Sequence, residues 1–198
     1  MDKDDSGTIF LDVILLALAG FVCIAILLFP HINPKTPKIV AEGRSAEDSV
    51  IVEISWDDAQ DADIDLWVRA PSDIAVGYSN KGGLFCNLLR DDLGSFADPL
   101  AINHEETVCR SLIPDSRYTI NAHAFGAKSA VTWPIVVRAR VQVKRPGTRL
   151  FEIFYTQGNL YHVGEEITLA NFILDENGYP KPGSIDTVFE PLRAFTSK

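Results

Sequence analysis

Residues Ile9–Phe29, IFLDVILLALAGFVCIAILLF, form an apolar run of 21 residues with a single charge in it, Asp12. As a helix rising 1.5 Å per residue it would be about 31 Å long, enough to cross the hydrocarbon core of a bilayer. The run is too long for the apolar part of a signal peptide. The preceding MDKDDSGT carries three aspartates against one lysine, where a signal peptide needs a positive start. Phe29-Pro30-His31-Ile32-Asn33 is no small-residue cleavage site either. The expectation is an uncleaved transmembrane helix over 9–29 behind a short tail, residues 1–8.

A bare anchor has no use for a carboxylate. Insertion scales place an Asp at a helix centre at roughly +2.5 to +3.5 kcal/mol, and intramembrane acids mark ion or proton pathways. Helical periodicity puts Asp12, Leu16, Ala19, Gly20 and Cys23 on one face, small-sided apart from Leu16. Small residues let a second helix approach closely in lipid, so this stripe is the expected packing surface. A simpler role also fits an Asp three residues from the start of the run: snorkelling to the interface, or stabilising the positive helix N-terminus. On the residues alone both readings stay open.

Beyond the run, residues 30–48 hold three early prolines and then small or charged residues, an extended linker reaching at most roughly 60 Å. From Ser49 the period changes to two. Val50, Val52, Ile54 and Trp56 alternate with Ile51, Glu53 and Ser55, a strand with one buried face. Further β-prone runs follow at 64–70, 75–79, 84–89, 106–110, 117–125, 135–144, 150–156 and 166–173. A turn-rich stretch spans 175–183, and the last fifteen residues read as a final strand or a short helix. Many short strands with few helical periods predict an all-β sandwich over 49–198, so the expected fold is one transmembrane helix plus a sandwich.

A net charge of −9 argues against nucleic acid as a partner. Of three cysteines, Cys23 lies in the apolar run, which leaves Cys86 and Cys109 as an even pair. In an exported domain such a pair is expected to form a disulfide, with two buried free thiols as the alternative, and the disulfide reading places the C-terminal domain outside the membrane. Lysine counts constrain orientation little, because long domains translocate largely regardless of them. Asp57, Asp58, Asp61, Asp63 and Asp65 form an acidic run in which Asp61, Asp63 and Asp65 alternate as hard oxygen ligands for Ca²⁺ would. Leu66 and Ser72 stand where an EF-hand needs glycine and glutamate, so a solvated turn entering a strand is the stronger expectation. Arg138, Arg140 and Lys144 line the polar face of the 135–144 strand, a surface for an anionic polymer or a face neutralised by nearby acids. The four histidines show no ligand spacing, no hydrolase, phosphate-loop or dinucleotide fingerprint occurs, and no enzyme is expected.

Phe10-Leu11-Asp12-Val13-Ile14-Leu15-Leu16-Ala17-Leu18 resembles the F-x-D-V-x-L-x-L-L segment that opens the transmembrane helix of ExbD and TolR proteins, a group that includes the helix of flagellar MotB. The resemblance covers about 25 residues. It implies a helix paired in a homodimer inside a ring, expected as a pentamer, of polytopic ExbB/TolQ/MotA-like subunits. Asp12 would be the ion-carrying group for H⁺ or Na⁺, with the N-terminus cytoplasmic and the C-terminal domain periplasmic, at a bacterial inner membrane. Neither the ExbD/TolR periplasmic domain nor a MotB-type peptidoglycan-binding domain follows. Instead Trp56 and Asp63-Ile64-Asp65-Leu66-Trp67-Val68-Arg69-Ala70-Pro71 resemble the W…D-x-D-L-x-V-x-x-P signature of YfaP-like extracytoplasmic β-sandwiches. Gly77–Lys81, Leu89–Asp92 and Pro114–Ile120 continue that pattern in order, with Ser116 where the family usually has glycine. This second resemblance covers roughly residues 50–125 and implies a fold, not a ligand.

Together these readings predict an ion-driven motor subunit that converts ion flux into rotation or force on a periplasmic or envelope target. The alternative is a membrane-tethered module that binds a carbohydrate or protein, with Asp12 incidental. An anchored hydrolase is the weakest third reading.

Overall fold

The computed structural model describes residues 5–32, 48–92, 102–128 and 130–193, with α1 side chains described over 10–24. The chain forms two compact units, 1–39 and 40–198. The first contains one helix, α1 (Asp5–Ile32), longer at both ends than the apolar run. It takes in Pro30, so the stretch expected to be a linker from residue 30 begins as helix, and 33–47 lie outside the described residues. Among the described residues no helix is long and apolar enough to cross a membrane.

The second unit is mostly β-sheet. Its strands are β1 (Ser49–Ser55), β2 (Ala62–Arg69), β3 (Cys86–Arg90), β4 (His104–Arg110), β5 (Arg117–Ala127), β6 (Ile135–Lys144), β7 (Phe151–Leu160) and β8 (Glu166–Ile173). They form two antiparallel sheets, one ordered β3-β4-β1-β6-β7 and one ordered β2-β5-β8. Alternation drives the first sheet inward on one face: Val50, Val52 and Ile54 of β1 and Val137, Ala139, Val141 and Val143 of β6 are wholly buried. They meet Ile64, Leu66, Val68, Tyr118, Ile120 and Phe172 of the second sheet in one apolar core. Gly158 of β7 lets the closing side pack tightly, since a Cβ there would lie 2.7 Å from the Ile167 side-chain tip and 2.8 Å from that of Leu169.

The second sheet is buried on both faces. Five consecutive residues of β2 (Ile64–Val68) and seven of β5 (Tyr118–Ala124) are buried, a pattern that a one-sided strand cannot give. Two segments roof the face turned away from the core. From the β2–β3 connection, Gly77 lies against the Trp67 ring, where a Cβ would come within 2.4 Å, and Tyr78 meets the same ring edge-on at 5.7 Å. From the C-terminus, Asp186 exchanges backbone hydrogen bonds with Asn171 at 2.7 and 3.0 Å, and Asn171 and Asn121 donate to the carbonyls of Val188 and Glu190. Glu190 pairs with Arg69, and Leu192 is fully buried. The final segment is therefore a strap rather than the expected strand or helix, held by side chains of the sheet it crosses.

Strands β2 to β5 differ from the expected runs by up to two residues at an end, and two departures are larger. Residues 75–79 form no strand: Val76 bridges Val68, and Gly77 pairs with Asn80 in a tight turn. The β7 strand runs on to Leu160, four residues past the apolar stretch, because β6 offers it a full-length partner. Cys86 and Cys109 face each other across β3 and β4 and are joined by a disulfide spanning 23 positions. A closed loop of that length restrains the unfolded chain by roughly 3 kcal/mol. Replacing both cysteines by alanine is expected to lower the unfolding free energy by about that amount in denaturant titration, and adding reductant to the wild type should give the same loss.

Candidate functional site

Two features stand out, a lone carboxylate on the first unit and a cluster of carboxylates on the second. On α1, Asp12, Leu16, Ala19, Gly20 and Cys23 share a face, every described side chain from Phe10 to Ile24 is exposed, and nothing lies within 4 Å of the Cβ position of Gly20. The cluster lies where the two sheets meet beside β2, the edge strand of its sheet.

Alternation along β2 places Asp63 and Asp65 on the face opposite Ile64 and Leu66. Across the ladder His123 stands opposite Asp65, with Nδ1 2.8 Å from Asp65 Oδ2 and both side chains buried. Glu105 of β4 points the other way, into the core side of its own sheet, and is 1% exposed. It spans to the free edge of β2: Leu66 N donates to Oε2 at 2.6 Å, and Asp92 N donates to Oε1 at 3.1 Å. Just past β3, Asp91 Oδ2 pairs with Lys81 Nζ at 2.6 Å, and Asp92 Oδ2 accepts from His104 N at 3.0 Å with Arg90 3.8 Å away. One oxygen each of Asp65, Asp91 and Glu105 lie within 4.8 Å of one another.

Burial dominates the electrostatics. It pushes the Glu105 carboxyl well above its usual range, against the pull of its two backbone donors, and Asp65 and Asp91 add to the effect. Burial raises Asp65 as well, although His123 opposes it. Asp63 is raised to about 7, first by burial and then by repulsion from Asp65, Asp91 and Asp92. As cation ligands these groups are compromised, since both Glu105 oxygens already accept backbone hydrogen bonds and Asp65 is committed to His123.

Of the Ca²⁺ trio weighed from sequence, Asp63 and Asp65 come together but Asp61 does not join them, because it pairs with Lys128 Nζ at 2.7 Å. Asp57 and Asp58 are likewise used locally, accepting from Ala59 N and Asn103 N. On the basic face of β6, Arg140 lies 3.8 Å from Glu53 and 3.2 Å from Glu152, so acids offset the charge at that position. Sequence reading missed Glu105, Asp91, Asp92 and His123 as members of one cluster. The signal for Glu105 was its phase: it sits in step with Thr107 and Cys109, and a disulfide cysteine marks a buried face.

No family model matches the chain, and no curated protein or solved structure matches it either.

The Asp65–His123 pair gives a direct test of the cluster. Breaking a buried ion pair from one side costs roughly 3 kcal/mol or more. His123→Ala should therefore destabilise the β unit by about that amount. A double-mutant cycle with Asp65→Ala should show coupling of at least about 1 kcal/mol in urea unfolding.

Proposed function

We propose that the chain is a single-pass subunit of an ion-driven envelope motor, with α1 set among polytopic membrane subunits and the β unit carrying force to an extracytoplasmic target. One observation carries the reading: Asp12 is the only charge in the apolar run Ile9–Phe29, and it shares a small-sided face with Ala19, Gly20 and Cys23. The resemblance of Phe10–Leu18 to the ExbD/TolR helix opening supports it. So does the exposure of the described α1 side chains, including Phe10, Leu16 and Phe21, which leaves that surface for lipid or another chain to cover. In this reading the 21-residue run Ile9–Phe29, longer than the 10–24 stretch whose side chains are described, crosses the membrane as one of a pair inside a ring of ExbB/TolQ/MotA-like subunits. Asp12 alternately binds and releases H⁺ or Na⁺, its charge tolerated only where partner helices shield it from lipid.

A tethered binding module, the competing reading, has no need of a carboxylate in its helix. Extraction of the full chain from its native membrane in mild detergent should recover a polytopic protein with it, and a lone monomer would overturn the motor reading. Reconstituted into vesicles, that complex should pass H⁺ or Na⁺. Asp12→Asn should reduce the flux at least about tenfold while the complex still assembles. Unchanged flux in Asp12→Asn would leave the helix a plain anchor.

A further inference from the structure

The open edge of β2 is the weak point of a two-sheet fold, since an unpaired edge leaves backbone groups without partners. Here the edge is closed by Val76, which bridges Val68, and by the Glu105 carboxylate, which accepts from Leu66 N. Glu105 also accepts from Asp92 N, so one side chain joins β4, β2 and the chain leaving β3. Around it stand Asp63 and Asp65 from β2, Asp91 and Asp92 from the β3 exit, His123 from β5, Lys81 and Arg90 beside β3, and Arg193 from the strap. Five carboxylates thus face three permanent cations and one histidine. Of these cations Lys81 is 61% exposed, and it reaches only Asp91 among the acids named. One buried oxygen, Oδ1 of Asp91, has no hydrogen-bond partner.

We propose that Asp63, Asp65, Asp91 and Glu105 form a proton-binding latch, in which a proton held among their carboxylates fastens the free edge of β2 to β4 and its release loosens that seam. With every acid ionised, the Asp65, Asp91 and Glu105 oxygens that lie within 4.8 Å of one another repel, two of these side chains being buried and Asp91 half-buried, with Asp63 beside them on β2. A single proton taken from solvent turns one of those contacts into an acid–carboxylate attraction, the arrangement by which paired buried carboxylates commonly persist. No oxidant, metal or second reactant is involved. The proposal stands on the β unit alone and is independent of any role for Asp12.

The direction of the pH response follows from which state holds the proton more tightly. Asp63 rises from 3.8 to about 7 on folding, and Glu105 and Asp65 rise with it. The folded protein therefore binds protons more tightly than the unfolded chain. That contribution to stability is fully present below the ordinary carboxyl range and is lost as the pH climbs through about 7.

The test uses the full chain in detergent. Its three tryptophans, Trp56, Trp67 and Trp133, all lie in the β unit, so intrinsic fluorescence follows that unit's melting. The wild-type midpoint should fall by on the order of 5 °C between about pH 5.5 and pH 8.5. Glu105→Gln and Asp63→Asn should each flatten that slope, and Asp63→Asn, at a partly exposed position, serves if Glu105→Gln fails to fold. Glu152→Gln, on the face of β6 and β7 where it pairs with Arg140, should leave the slope unchanged. Infrared spectra near neutral pH should contain the carbonyl stretch of a protonated carboxyl group that Asp63→Asn or Glu105→Gln removes. A slope that survives in the variants that fold, or no protonated carboxyl band, overturns the proposal. A midpoint at about pH 8.5 that added Ca²⁺ alone restores to its acidic value, with no such band, assigns the cluster to a cation instead.

Discussion

The β unit depends on how a charged side chain is kept in its interior. Glu105 is almost wholly buried, and its carboxylate reaches two backbone amides that no strand serves. A neutral amide at this position could accept only one of the two hydrogen bonds, and an apolar residue neither. A buried amide left unpaired costs about 1–3 kcal/mol, so the seam between the sheets is held by a group that is itself expensive to bury. Asp63, Asp65, Asp91 and Asp92 crowd the same seam because β2 begins and β3 exits beside it. Their charges are balanced only partly by Lys81, Arg90, Arg193 and His123.

The same constraint shapes the second sheet. Three strands leave one wide face uncovered, and the chain covers it twice, with the turn at Gly77–Asn80 and with the strap that ends at Leu192. Both roofs rely on specific close contacts. Trp67 fills the space above β2 only because position 77 has no side chain, and Glu190 reaches back to Arg69 while its backbone carbonyl accepts from Asn121. Strands that would be half-exposed in isolation become buried on both faces, which is why His123 and Asp65 are shielded from water on the face turned away from the apolar core.

This division between local and distant causes explains what was legible in the sequence. The strand β6 could be bounded from the alternation in Ile135–Lys144 alone, because period and burial agree along its whole length, whereas β8 (Glu166–Ile173) shows as a β-prone run whose consecutive burial comes from the cover on its second face. The run 75–79 was misread as a strand for the opposite reason: Val76 is buried by one bridge to Val68, not by a ladder. Asp63 and Asp65 were visible as a pair two residues apart, but Asp61 was drawn off by Lys128, 67 positions away, and nothing local announces that contact. Glu105 and His123 were hidden by the same distance, since each acquires its role from a partner about 40 to 60 residues earlier in the chain.

The β unit holds carboxylates removed from water, and Asp12 would meet the same physical problem in the proposed membrane setting. In the β unit the chain supplies its own donors, so the acids can stay folded in at the expense of holding protons more tightly. On α1 the exposed face bearing Asp12 has no such donors of its own, because Leu16, Ala19, Gly20 and Cys23 offer no hydrogen bond fit for a carboxylate. Whatever stabilises Asp12 in an apolar setting must come from other molecules, and that dependence is what separates an ion carrier from an anchor. A helix meant only to tether would reach the same length with leucine at position 12 at no desolvation cost.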